Sequence, residues 1–238
     1  ERAGVFLTNA LTGWEPPREP KAHLPFPELE QERDAAERVK REAPILVILG
    51  NPPYNGFAGV AMAEERDLST AYRTAKKAPA PQGQGLNDLY VRFFRMAERR
   101  IVEKSHRGVV CFISNYSWLD GLSFTGMRER YLEAFDGIWV DCLNGDKYKT
   151  GKLTPDGEPD PSVFSTPHNR EGIQVGTAVA LLARRKDHEA ADAIQFKDFW
   201  EVTSSIASRG KPNSSTGKTI RIWPRPSRSA CPSCPCIW

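Results

Sequence analysis

The sequence predicts an α/β fold in which a parallel, doubly wound sheet carries flanking helices. Three observations predict it. Apolar runs of strand length recur at residues 45–49, 108–116 and 137–143, each bounded by turn residues. Stripes of helical period fill the two intervals between them. The resulting order of strand, helix, strand, helix, strand is the one that crossover connections impose on a parallel sheet.

In chain order, Gly4-Val5-Phe6-Leu7-Thr8-Asn9-Ala10-Leu11 is short and apolar and reads as the end of a strand entering a loop. Residues 12–27 hold five prolines and one glycine, which predicts extended surface chain. Residues 28–42 are highly charged, with Leu29, Ala35, Ala36 and Val39 as sparse apolar positions. An exposed helix with a thin apolar face is expected there, of the kind a crossover between two strands supplies. Ile45-Leu46-Val47-Ile48-Leu49 is rich in β-branched residues and reads as a fully buried parallel strand. Residues 66–85 are polar, basic and rich in Pro, Gly and Gln, and a loop of that length is uncommon unless it is functional or mobile.

The clearest helix spans residues 86–104. Leu86, Leu89, Tyr90, Phe93, Phe94, Ala97 and Ile101 follow the i, i+3, i+4, i+7 pattern, with Asn87 or Asp88 placed to cap it. Residues 108–116 form a second strand ending in polar residues. A helix over residues 123–135 then presents Met127, Tyr131, Leu132 and Phe135 on one side. The strand at residues 137–143 closes on Asn144-Gly145, a turn signal. Residues 146–170 are polar and loop-like, and Asp156, Glu158 and Asp160 read as a solvated turn rather than a metal site. A last apolar strand occupies residues 176–184. Beyond Asp187 the pattern decays, and Lys197-Asp198-Phe199-Trp200 is expected to end a helix.

The chemistry concentrates where the first strand breaks into Asn51-Pro52-Pro53-Tyr54. Each proline fixes its own φ, and Pro53 also keeps Pro52 out of the helical region. The loop therefore leaves a strand's carboxyl end, where open α/β sheets place their ligands, with little freedom. The Asn51 amide and the Asn51 and Pro52 carbonyls make a preorganised set of acceptors beside the Tyr54 ring. That suits a planar group bearing an NH2, such as adenine. Asn51 Oδ1 and the Pro52 carbonyl each accept one amino hydrogen while Tyr54 stacks on the ring. Two acceptors draw the amino nitrogen out of conjugation and free its lone pair.

Asn51-Pro52-Pro53-Tyr54 resembles motif IV of the amino-methyltransferases, above all the adenine-N6 DNA methyltransferases of restriction-modification and phage-defence systems. From Phe6-Leu7-Thr8-Asn9 to about Arg185 the chain is similar to their helicase-methylase, type IIG/ISP branch. The resemblance implies a partial Rossmann-like class I methyltransferase sheet with flanking helices, S-adenosylmethionine as cofactor and a flipped DNA adenine as substrate. It implies helicase or nuclease modules on the same parent polypeptide. Asp88-Leu89-Tyr90-x-x-Phe93 resembles motif V, which makes Asp88 and Phe93 cofactor-wall candidates alongside Asn51. Residues 108–116 resemble motif VI, and the strand at 176–184 is similar to the one after motif VIII. Phe164 is the nearest candidate for the aromatic that covers the second face of the base. Residues 66–85, beside the motif, are expected either to order on DNA binding or to remain a mobile surface loop. The Gly-rich cofactor loop that opens the family pattern has no counterpart before Asn51, where only Gly4, Gly13 and Gly50 occur.

Two domains are therefore expected: a partial catalytic domain at residues 1–187, and a basic, poorly ordered tail at 188–238. Of 33 Lys and Arg, six follow Glu201, where no acid occurs, leaving 27 against all 30 acids before it. The tail is thus +6 and the body −3, and a basic tail suits nucleic-acid phosphates or simple solvation. Gly217-Lys218-Thr219 lacks the first glycine of a phosphate-binding loop, since Pro212 stands there. Cys231, Cys234 and Cys236 offer three thiols without an evident fourth ligand, so no metal is assigned. Five unspread cysteines predict a reducing cytoplasm. No apolar run approaches the roughly 20 residues that span a bilayer. Glu1 in place of Met predicts a piece of a longer polypeptide. Two other readings share these residues: methylation of an RNA adenine or a protein glutamine, and a non-catalytic remnant that binds DNA or a partner.

Overall fold

The computed structural model describes residues 4–16, 20–21, 23–56, 59, 63–200 and 215–221. Its centre is one six-stranded mixed sheet in the order β1-β2-β4-β3-β5-β6. The strands are β1 (Val47–Gly50), β2 (Gly108–Asn115), β3 (Gly137–Asn144), β4 (Thr177–Arg184), β5 (Ala193–Phe199) and β6 (Ser215–Arg221). The helices are α1 (Pro27–Glu42), the short α2 (Ala63–Arg66), α3 (Leu89–Glu98) and α4 (Thr125–Ala134).

The three strands expected to be parallel do share one direction, but the sheet is not a simple parallel one. β1 and β2 pair directly in parallel. β4 inserts antiparallel between β2 and β3 along its whole length. The reason is its connection: the loop from β3 to β4 leaves and returns at the same end of the sheet, Asn144 pairing with Thr177, so the chain reverses instead of crossing over. β5 then pairs parallel with β3, and β6 antiparallel with β5.

The expectation of a fully buried first strand is corrected. β1 is the sheet's edge, with Val47 58% and Leu49 70% exposed. A strand is buried only where neighbours cover both its faces and its second side, and among the described residues β1 has β2 alone. The expected strand at residues 4–11 is absent: residues 4–9 are irregular and a turn follows at Ala10-Leu11. α1 is therefore no crossover between strands. Its Lys40 is buried and binds Thr8 Oγ1 at 2.9 Å and the carbonyls of Asn9 at 2.6 Å and Thr12 at 2.9 Å. That tethers the amino-terminal segment to the helix. Lys197-Asp198-Phe199 lies in β5 rather than ending a helix. The sheet so continues past Asp187, where the sequence places a boundary. Its alternating burial, Ile194 and Phe196 inward, is a strand signal that the polar Gln195 and Lys197 beside them conceal.

α3 buries Tyr90, Phe94 and Ala97, while Ile101 lies in the π-helical turn Arg99–Lys104 that continues it. Phe94 meets Phe112 of β2 edge-on at 5.1 Å and the Trp118 ring at 5.6 Å. Tyr131 of α4 packs on Trp118 at 6.0 Å and on Phe135 at 5.8 Å. Asn144 and Gly145 both take positive φ, 50° and 71°, as the Asn-Gly turn predicts.

Residues 66–85 are not a bare surface loop but pack in part against the body of the chain. A 3-10 turn at Leu68–Tyr72 buries Leu68, Ser69 and Tyr72. Glu129 of α4 accepts the amides of Lys76, Lys77 and Ala78 at 2.7, 2.9 and 2.8 Å. Asp160, expected to be solvated, is fully buried and accepts the Gly145 amide at 2.8 Å.

The α4–β3 corner carries a pH dependence. Asp136 accepts the amides of Arg185 and Glu189, each at 2.8 Å, and pairs with His188 Nδ1 at 3.1 Å. Burial disfavours its charge, yet those bonds outweigh burial and lower its pKa from 3.8 to about 2. A carboxylate with a lowered folded pKa contributes stability above its unfolded pKa and loses it as pH falls through the folded one. Asp136 thus contributes fully above about pH 4, and its contribution is gone below about pH 2. Asp136→Asn is expected to flatten acid unfolding in that window, as read by circular dichroism at stepped pH. An unchanged acid transition would show that the corner is not part of it.

Candidate active site

β1 ends at Gly50, in register with Phe112 of β2, whose ring would lie 3.1 Å from a Cβ at that position. The two prolines then turn the chain outward. Pro52 is buried and anchors the loop, whereas Asn51 and Pro53 are exposed. Tyr54 Oη donates to Asn51 Oδ1 at 3.1 Å. This bond orients the amide and leaves its oxygen a second lone pair for an incoming donor. The Tyr54 ring is half-buried and fixed edge-on against the fully buried Tyr90, with centroids 6.3 Å apart and planes at 87°. Burial, with the Asp88 charge adding to it, pushes the Tyr54 hydroxyl up to about 12, so it remains a donor at neutral pH.

Asp88 belongs to the same site. It stands at the N-cap position of α3, but its side chain makes no capping bond. Instead Asp88 Oδ1 accepts the Asn55 amide at 2.8 Å, and the Leu89 amide returns a bond to the Asn55 carbonyl at 3.1 Å. This two-way clamp joins the Asn51 loop to the start of α3. Burial raises the Asp88 pKa, opposed by the Asn55 amide.

The remaining candidates lie apart. Phe93, on α3, packs between the main core and a smaller cluster of Leu11, Leu68 and Met96. Phe164 is half-buried on the loop between β3 and β4, its amide donating to Ser162 Oγ at 3.3 Å. Among the described residues no ring contact joins it to Tyr54. That loop also walls a cavity of about 330 Å³ at the carboxyl ends of β3 and β5, lined by Leu143, Pro161, Ser162, Val163, Phe199 and Trp200.

Sequence reasoning missed the polar hub at the carboxyl ends of β2 and β3. Asn115 Oδ1 accepts the Ser117 amide at 2.6 Å, turning the chain as β2 ends. The Tyr116 hydroxyl is hydrogen-bonded to Asp146, and burial together with that carboxylate raises its pKa. Asp146 is buried but accepts the amides of Tyr148, Lys149 and Gly176 at 2.7, 2.6 and 2.9 Å. Those bonds outweigh burial and lower its pKa. The available signal was Asn144-Gly145-Asp146, a turn followed by a carboxylate.

Among the described residues, no three His, Cys, Asp or Glu are grouped to hold a metal, and no helix is long and apolar enough to cross a membrane. Cys231, Cys234 and Cys236 lie outside the described residues, as do Arg209, Lys211, Arg225 and Arg228 of the basic tail. Gly217-Lys218-Thr219 falls within β6.

No protein-family model matches the chain, and no curated protein matches it. Solved structures do. The chain is similar to the ATP-dependent Type ISP restriction-modification enzyme LlaBIII bound to DNA, at 25% identity and TM-score 0.60 over 81% of this chain and 12% of that one. It is similar to DrdV in a DNA complex, at 24% identity and TM-score 0.53 over 74% of this chain and 17% of that one. A nuclease-deletion mutant of the Type ISP enzyme LlaGI, in complex with a DNA substrate mimic, follows at 20% identity and TM-score 0.57, over 72% and 16%. The chain thus spans between 12% and 17% of the length of these proteins. The likeness supports the restriction-modification branch that the sequence implies.

Proposed function

We propose that this chain carries the base-binding part of a DNA methyltransferase that methylates the N6 amino group of adenine in a restriction-modification or phage-defence system. The observation that carries the reading is the Asn51 loop: two prolines at the carboxyl end of β1, an amide oxygen oriented by Tyr54, and a clamp to Asp88. The LlaBIII and LlaGI likenesses agree with it, since both are restriction-modification enzymes seen with DNA or a DNA mimic.

An adenine amino group is unreachable while stacked and paired, so the base must leave the duplex. Asn51 Oδ1 and the Pro52 carbonyl then accept its two amino hydrogens and turn the nitrogen lone pair outward. Tyr54 supports one face of the ring, and Phe164 is assigned to the other. S-adenosylmethionine, when bound, supplies the activated methyl group. Asp88 fits a place at its wall, being a half-buried acceptor bonded to the Asn51 loop. Phe93 backs that wall from the apolar side. The chain's work is positioning and electrostatics, without a covalent intermediate on any side chain.

The test offers a labelled methyl donor with three acceptors: duplex DNA, RNA of the same sequence, and a glutamine peptide. Label recovered as N6-methyladenine in DNA is the expected result. Label in RNA or peptide instead would reassign the acceptor. Transfer to none of them would leave a non-catalytic DNA- or partner-binding role for this chain.

A further inference from the structure

We infer that the turn of residues 146–152 is a phosphate-gripping element that seats a nucleic-acid backbone beside the Asn51 loop. The inference rests on the DNA reading above and names a surface within it. Lys147, Lys149 and Lys152 flank Tyr148 in this turn. Lys147 and Lys149 side chains are 48% and 43% exposed, and Tyr148 is 71% exposed. The body of the chain is net acidic, so the cluster is local and not a sample of general basicity.

The backbone beneath these side chains is rigid. Besides its three amide bonds, Asp146 offers its own carbonyl to the Lys152 amide and to Thr150 Oγ1, both at 2.8 Å. Gly151 and Lys152 take φ of 65° and 58°, which tightens the turn further. Burying a carboxylate to hold a turn has a desolvation cost that charge-assisted bonds offset.

The turn also faces the right place. Lys149 Nζ sits 4.4 Å over the Tyr116 ring and 2.7 Å from both Asp120 carboxylate oxygens. Tyr116 leaves the carboxyl end of β2, and the Asn51 loop leaves the same end of the adjacent β1. Cations and the candidate base pocket therefore share one end of the sheet. The lysines' present partners are weak competitors. Lys149–Asp120 at 2.7 Å, with side chains 43% and 46% exposed, and Lys147–Glu171 at 3.9 Å are exposed pairs of the kind worth little. Lys152 Nζ donates to the Glu171 carbonyl. A phosphate oxygen can replace Glu171 at Lys147 and approach Lys149 from its solvent side.

The test is fluorescence anisotropy of the full chain with a labelled DNA duplex, between about 50 and 200 mM salt. Wild type is compared with the triple variant Lys147→Ser, Lys149→Ser, Lys152→Ser, and with the corresponding triple arginine variant. Circular dichroism confirms that all three fold. The serine variant is expected to bind at least about tenfold more weakly, with a salt slope shallower by about 2–3. The arginine variant should keep the wild-type slope. A serine variant with an unchanged slope overturns the inference and leaves DNA as partner intact. Absence of duplex binding by the wild type overturns both. Binding through the turn without any methyl transfer keeps this inference and removes the catalytic reading.

Discussion

Asn51→Ala is expected to lower methyl transfer at least about 10²–10³-fold, the scale seen when one preorganised polar group of a reacting centre is removed. The fold should be untouched. Asn51 is exposed, and the hydrogen bond its side chain makes here is the one from Tyr54 Oη. An exposed substitution of that kind changes stability by no more than about 0.5 kcal/mol. Asn51→Asp separates acceptor chemistry from shape. It retains an acceptor at the same place, so part of the rate should survive, whereas alanine leaves the amino group with the Pro52 carbonyl alone. Methyl transfer measured beside thermal unfolding decides the matter: an alanine variant with wild-type rate would sink the site.

The largest stability effect is expected far from that loop, at Glu98. Its side chain is 1% exposed and accepts from Tyr72 Oη at 2.6 Å and Arg95 Nη1 at 2.9 Å, with Arg130 Nε as a third donor. Tyr72 Oη also meets Tyr131 Oη at 3.3 Å, and Arg95 reaches Glu103 at 2.7 Å. One carboxylate thereby ties together the turn at Leu68–Tyr72, α3 and α4. Glu98→Ala leaves a buried arginine and a buried phenol without their acceptor, which costs about 3–5 kcal/mol. For a domain of this size that corresponds to a fall in Tm of about 6–20 °C. Glu98→Gln keeps the shape and one acceptor and should cost less. Equal losses in the two variants would mean that charge, not packing, holds the junction. Because α3 carries Glu98 at one end and follows Asp88 at the other, loosening it should also weaken the Asp88–Asn55 clamp.

The helix of Leu89, Tyr90, Phe94 and Ala97 was legible because its period is set by local backbone geometry, although Leu86 falls in a separate 3-10 turn at Gly85–Asn87 and Ile101 in the π-helical turn that follows. So were the strands at residues 108–116, 137–143 and 176–184, and the Asn144-Gly145 turn. The acidic hub at Asp146 was not, since its bond to the Gly176 amide spans 30 residues. Tyr72 looked like part of a surface loop, and its partner Glu98 stands 26 residues away. β5 was misread because Gln195 and Lys197 face solvent and break the apolar run that marks a buried strand.

By itself, then, the sequence determined the rigidity and chemistry of Asn51-Pro52-Pro53-Tyr54, because proline dihedrals and side-chain functional groups are properties of the residues themselves. It determined the helical stripe of α3 for the same local reason. Only the tertiary structure decided that β4 inserts antiparallel between β2 and β3 and that β1 is an exposed edge. It alone joined Asp88 to Asn55 and set Lys149 over Tyr116. Strand neighbours, burial and clamps across loops depend on which distant segments meet, and their energies arise from pairings that no single segment contains.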